Sequence, residues 1–118
     1  YGGMSGGQFY RGVQLMYDNY INGKRVLALV NKGATLVDMR TPVEFRDGSI
    51  VGSVNLPLRN FLNHLVGVTD KASTIIMFST DKDDADVTSA VNYATQLGFS
   101  SIYTSTYSVI LDTVHHDG

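Results

Sequence analysis

The sequence predicts an α/β domain built on a central, mostly parallel sheet flanked by helices. Three observations carry that expectation. Short apolar runs suited to buried strands recur at 35–39, 53–56, 74–78 and 101–104. Each is followed by a stretch with helical periodicity, and strands alternating with helices give parallel sheets. The chain has 118 residues, 43% hydrophobic and 17% charged. That suits one folded domain, which at this length buries on the order of two-thirds of its unfolded surface.

Taken in order, residues 1–7 hold four glycines and no periodicity, and read as a flexible lead-in or part of a linker. From Gln8 to Tyr20 the apolar residues Phe9, Val13, Met16, Tyr17 and Tyr20 fall on one helical face. The segment 1–20 is therefore expected to be a lead-in with an added helix, whose stripe packs on the domain or docks a partner. Asn22 is set to cap a helix through Val26, Leu27, Leu29 and Val30, which Gly33 ends. Thr35–Met39 reads as a buried strand. Thr41 and Pro42 open a short helix, with Pro in its first turn. Val43, Phe45 and Ile50 supply apolar anchors, and Gly48 and Gly52 permit turns. Ser53–Leu56 is a strand closed by Pro57. A helix over 58–66 carries Leu58, Phe61, Leu62, Leu65 and Val66. Thr74–Phe78 is the third strand. Val87–Leu97 is a helix burying Val87, Ala90, Val91, Ala94 and Leu97, with Gly98 as its stop. Ser101–Thr104 is the fourth strand and Val109–Val114 a last helix. The domain proper is expected over 21–112, with a tail at 113–118.

Composition removes several functions. The net charge is −2 and the pI about 5.8, not the basic balance of a nucleic-acid binder. The chain contains no cysteine, which excludes disulfides, thiolate metal sites and thiol nucleophiles together. No apolar run approaches the ~20 residues of a membrane span, and no leader-peptide pattern is visible. No cofactor and no metal are expected.

The order of short motifs points to a family. Leu36-Val37-Asp38-Met39-Arg40 resembles a Leu-Ile-Asp-Val-Arg strand. Thr41-Pro42-Val43-Glu44-Phe45 is similar to the acidic helix that follows it. Gly48-Ser49-Ile50-Val51-Gly52-Ser53-Val54-Asn55-Leu56-Pro57 matches a Gly-His-Ile-Pro-Gly-Ala-x-Asn-x-Pro signature. Ile75-Ile76-Met77-Phe78 then precedes a loop, Leu97-Gly98-Phe99 closes the next helix, and Ile102-Tyr103 resembles the next strand. Over about residues 20–110 the chain resembles a rhodanese-like domain. The resemblance implies the fold just described, with Asp38, Arg40, Glu44, Gly48, Gly52, Asn55 and Pro57 as its structural signature. Asp38 and Arg40 are expected to form a structural ion pair tying the strand end to neighbouring loops.

The same resemblance marks what is lost. The family's sulfur-carrying Cys aligns with Ser79. Its Cys-Arg-x-Gly-x-Arg-Ser loop is here Ser79-Thr80-Asp81-Lys82-Asp83-Asp84-Ala85, without either Arg or the Gly. The family's Gly-Gly pair falls near Tyr107 and Ser108. Sulfur transfer needs a low-pKa thiolate that holds sulfur as a persulfide, and a serine hydroxyl cannot replace it. A hydrolase using Ser79 would need a base from His64, His115 or His116. Asp83, Asp84 or Asp86 can cap the helix near Val87. The spacing of Asp81, Asp83, Asp84 and Asp86 also resembles a calcium loop, but lacks its turn Gly and its closing Glu.

The resulting expectation is a catalytically inactive rhodanese-like domain serving as a protein-interaction module or a subunit of a larger assembly. The alternative is an enzyme, either a sulfurtransferase acting with a partner's thiol or a Ser79 hydrolase. The surface expected to bind the partner is the loop Ser79, Thr80, Asp81, Lys82, Asp83, Asp84 and Asp86, with Tyr107 as an apolar anchor. The acidic loop calls for a partner rich in Lys or Arg. Phe9, Tyr10, Tyr17, Tyr20 and Tyr103 are further aromatic candidates for a contact surface.

Overall fold

The computed structural model describes residues 19–117. Element order is α1 (Gly23–Asn31), β1 (Thr35–Asp38), α2 (Pro42–Asp47), β2 (Val54–Asn55), α3 (Leu58–Val68), β3 (Ile75–Ser79), α4 (Ala85–Leu97), β4 (Ile102–Thr106) and α5 (Tyr107–Asp117). The four strands form one sheet in the order β2-β1-β3-β4, parallel throughout. Parallel strands need crossovers, and the helices supply them.

Local chemistry sets most helix ends. Asn22 caps α1 by accepting the Arg25 N–H at 2.9 Å. Gly33 follows α1 with φ +99°, a conformation open to glycine. Thr41 and Glu44 form a reciprocal capping box at α2, with Pro42 in its first turn. Gly98 ends α4 in the left-handed region at φ +106°. Gly52 turns the chain at φ +87°. Gly48 bends the chain out of α2 without a left-handed backbone, at φ 176°. Its contribution is its carbonyl, described below.

The sheet carries apolar side chains on both faces, as a sheet covered on both sides must. One core joins Val37, Met39, Ile75, Met77 and Ile102 to Phe61 and Leu65 of α3 and to Val87, Ala90, Val91 and Ala94 of α4. The other joins Leu36, Ile76 and Phe78 to Val26 of α1, Ile50 and Ile110 of α5.

Several expectations need correction. Residues 8–18 of the proposed first helix lie outside the described residues. Its last member, Tyr20, is not helical: it bridges Thr104 in parallel, beyond β4. Ile21 N–H donates to the Thr104 carbonyl and Thr104 N–H to the Asn19 carbonyl, both at 2.9 Å. A backbone ladder to an otherwise open sheet edge outweighs helical periodicity here. β4 runs on to Thr106 because hydroxyls satisfy its buried end: Ser105 Oγ donates to the Ile21 carbonyl at 3.0 Å. α5 starts directly at Tyr107, and residues 113–117, expected in a tail, stand in it. β2 is only two residues long. Val43 is 55% exposed, so it anchors nothing in the core.

Candidate functional site

The carboxyl ends of β1, β2 and β3 meet one another at a single edge of the sheet, where open α/β folds place their ligand clefts. Asp38, the last residue of β1, is fully buried, and Arg40 is only 8% exposed. Such charges are held in the interior only if paired and fully hydrogen-bonded. Asp38 Oδ1 accepts the Arg40 backbone N–H at 2.9 Å, and Oδ2 accepts Arg40 Nη2 at 2.8 Å. Arg40 Nε lies 3.1 Å from both oxygens. Nη2 also donates to the Gly48 carbonyl at 2.7 Å. Burial would lower the Arg40 pKa, but the bonds to Asp38 and its charge overcome this and hold it above its ordinary value. Asn55 Nδ2 closes the network, donating to the carbonyls of Asp38 at 3.0 Å and Arg40 at 2.9 Å.

Tyr107 belongs to this network. The Arg40 guanidinium carbon lies 3.7 Å from the centre of its ring, a stacked cation–π contact. It is half-buried, and so a support for Arg40 before it is a free contact residue. Among the other aromatic candidates, Tyr103 packs on the second core with Arg25 5.7 Å over its ring. Phe9, Tyr10 and Tyr17 lie outside the described residues.

Ser79 ends β3 in register with Thr106 and is 4% exposed. Thr80, Asp81, Lys82 and Asp83 are exposed, Asp84 is half-buried, and Asp86 is exposed in the first turn of α4. The loop spends its own groups on itself. Asp84 caps α4: its Oδ1 accepts the Asp86 N–H at 2.7 Å. The Asp84 N–H donates to the Asp81 carbonyl at 3.3 Å, and the Asp84 carbonyl accepts the Thr88 N–H at 3.2 Å. A carboxylate therefore already sits on the positive end of α4, where an external anion would bind. Lys82, the one cation in the loop, points toward the Tyr20 ring at 5.8 Å. Among the described residues none of the four Asp side chains is in an ion pair. Of the histidines, His64 is exposed on α3 with Nδ1 2.9 Å from the Asn60 carbonyl.

Beside this loop lies a groove of about 540 Å³. Its lining includes Met39 and Pro42 after β1, Pro57, Leu58 and Arg59 after β2, and Asp86 at the start of α4. Leu58, Arg59 and Met39 were not singled out from the sequence as site residues. The available signal was their position, since each follows the end of a parallel strand.

The family model for the rhodanese-like domain matches residues 22–108. The chain belongs to the rhodanese-like family. It contains no cysteine, so this rhodanese-like domain lacks the family's catalytic thiol. Solved structures share the fold at low identity. A human single-domain sulfurtransferase superposes with a TM-score of 0.68 at 18% identity, over 80% of this chain and 96% of that one. A full-length protein from Lactobacillus plantarum gives 0.66 at 16%, over 95% and 93%. A rhodanese-related protein from Thermoplasma volcanium gives 0.61 at 22%, over 83% and 92%. Among curated proteins, the tRNA 2-selenouridine synthase of Cronobacter sakazakii is 56% identical over 34 residues, 29% of this chain. The matched stretch is 9% of that protein's length.

Proposed function

We propose that this rhodanese-like domain is catalytically silent and works by binding a protein partner through the loop between β3 and α4. In this reading Ser79 stands at the position of the family's sulfur-carrying cysteine. The observation that carries it is the Asp84 cap. With Asp84 Oδ1 2.7 Å from the Asp86 amide, the helix end that would receive an anionic donor is filled by the chain's own carboxylate. Asp81, Asp83 and Asp86 add like charge around it. Each repels a second anion lying within roughly 8 Å by about 0.5 kcal/mol or more at an intermediate dielectric.

The same surplus of carboxylates favours a partner carrying Lys or Arg. One Asp suffices for capping, and among the described residues the other three stand in no ion pair and can meet an external cation. Complementary charge of this kind acts mainly on association rate and specificity. Hydrolysis by Ser79 has less support, because the buried hydroxyl lacks a neighbouring histidine base among the described hydrogen bonds and His64 faces the Asn60 carbonyl.

The test is surface plasmon resonance with a captured partner at low and high salt, comparing the natural chain with Asp81/Asp83→Asn, which leaves the Asp84 cap in place. A slower association and a flatter salt dependence in the variant are expected, since exposed charges are screened beyond about 8 Å at physiological salt. An unchanged association rate would remove the loop from the interface.

A further inference from the structure

We propose that the groove beside the acidic loop receives a peptide segment of the partner in which an apolar side chain lies between a carboxylate and a Lys or Arg. The inference rests on the docking role above and adds where the partner's anchor sits. The groove, at about 540 Å³, is of the size that holds ligands, roughly 300–1,000 Å³. Its lining is apolar where Met39, Pro42, Pro57 and Leu58 meet. These residues sit at strand ends and helix starts fixed by the sheet and by the Asp38–Arg40–Asn55 network, so the wall is formed in advance of binding.

Besides Arg40, which is paired with Asp38, two opposite charges line this wall. Arg59 comes from the first turn of α3, and Asp86 from the first turn of α4. Both are exposed, and neither is in an ion pair among the described residues. A wholly apolar occupant would strip water from both without pairing either, which is unfavourable. A uniformly basic occupant would be repelled by Arg59, and a uniformly acidic one by Asp86. An acid–apolar–base segment pairs both ends and fills the middle. Asp83 and Asp81 precede Asp86 in the same loop, exposed and outside the groove's lining. A small zwitterion would leave those charges unused, whereas a peptide running on along the loop meets them with further Lys or Arg.

The test is a heteronuclear NMR titration of the whole chain with the capped tripeptide Ac-Glu-Leu-Lys-amide. The backbone amides of Met39, Leu58 and Asp86 should shift together and saturate. Ac-Gln-Leu-Gln-amide should bind about fivefold more weakly, the scale of exposed ion pairs. Asp86→Asn should remove the preference for Lys. Arg59→Glu should invert the preference at the other end, so that Ac-Lys-Leu-Lys-amide then binds better than Ac-Glu-Leu-Lys-amide. Shifts confined to Asp81, Asp83 and Asp84, with Met39 and Leu58 unmoved, would overturn the groove as anchor while leaving the acidic loop as a docking surface. Free leucine moving the same groove amides as strongly as the tripeptide would assign the groove to a small zwitterion and overturn the peptide. An absence of shifts at the groove with every peptide would overturn it as well, and the loop's role is decided separately by the association kinetics.

Discussion

Asp38 and Arg40 sit two positions apart and carry most of the polar bonding at the edge of the sheet where the site lies. Asp38 is fully buried, so its partner cannot be removed without leaving a charge in the interior. Asp38→Asn keeps the shape but leaves Arg40 uncompensated, and should cost about 3–5 kcal/mol, read as a lower urea midpoint at unchanged slope. A loss near zero would mean that water or another anion satisfies Arg40. Glu44 makes a different claim. Its carboxyl titrates below its ordinary 4.5 because the Thr41 backbone N–H and hydroxyl bond its charged form, with attraction from Arg40 adding to this. A carboxyl with a lowered folded pKa contributes stability that is complete above its unfolded value and is lost as pH falls through the folded one. The stability gap between the natural chain and Glu44→Gln should therefore be full at neutral pH and close in acid. Urea unfolding at several pH values checks this, and a gap that persists in acid would remove the charged capping box from the account.

Helix α1 packs closely against α5 at Gly23. A Cβ at Gly23 would stand 2.7 Å from the Thr113 Cβ and 3.0 Å from the Val109 carbonyl oxygen. Gly23→Ala should destabilise the chain by about 1–3 kcal/mol through overpacking. Thr113→Ala in the same chain should recover part of that, because it removes the hydroxyl that the new methyl would meet. A double-mutant cycle measures the coupling, and strictly additive losses would show that the helices simply move apart. Elements of this kind were legible where their ends are written locally: Asn22, Thr41 with Glu44, Gly33 and Gly98 each mark a boundary through their own chemistry. The elements that escaped the sequence are those decided at a distance. Tyr20 carries a helical stripe but is drawn into the sheet by Thr104. Ser105 and Thr106 look like loop residues, yet they pair with Phe78 and Ser79 of β3, where the Ser105 hydroxyl donates to the Ile21 carbonyl and the Thr106 hydroxyl accepts the Val109 N–H. Tyr107 looked like an exposed anchor, and only the folded chain places it against Arg40. The groove could not be read either, since it exists only where β1, β2 and α4 converge.

Across the chain, the family's fold persists without the family's catalytic thiol. The strand ends, the Asp38–Arg40–Asn55 network and the two cores keep the sheet edge in shape, and the loop on that edge is filled by its own carboxylates. In the proposed reading the loss runs deeper than one missing thiol. If it does, restoring the thiol alone is insufficient, because the acidic loop raises the thiol pKa and repels an anionic donor. The direct measurement is thiocyanate production from thiosulfate and cyanide by Ser79→Cys, with Ser79→Ala as background. The predicted result is a rate at that background, rising only when residues 80–86 are exchanged for the loop of an active rhodanese. Turnover by Ser79→Cys alone, near that of an active family member, would contradict the account.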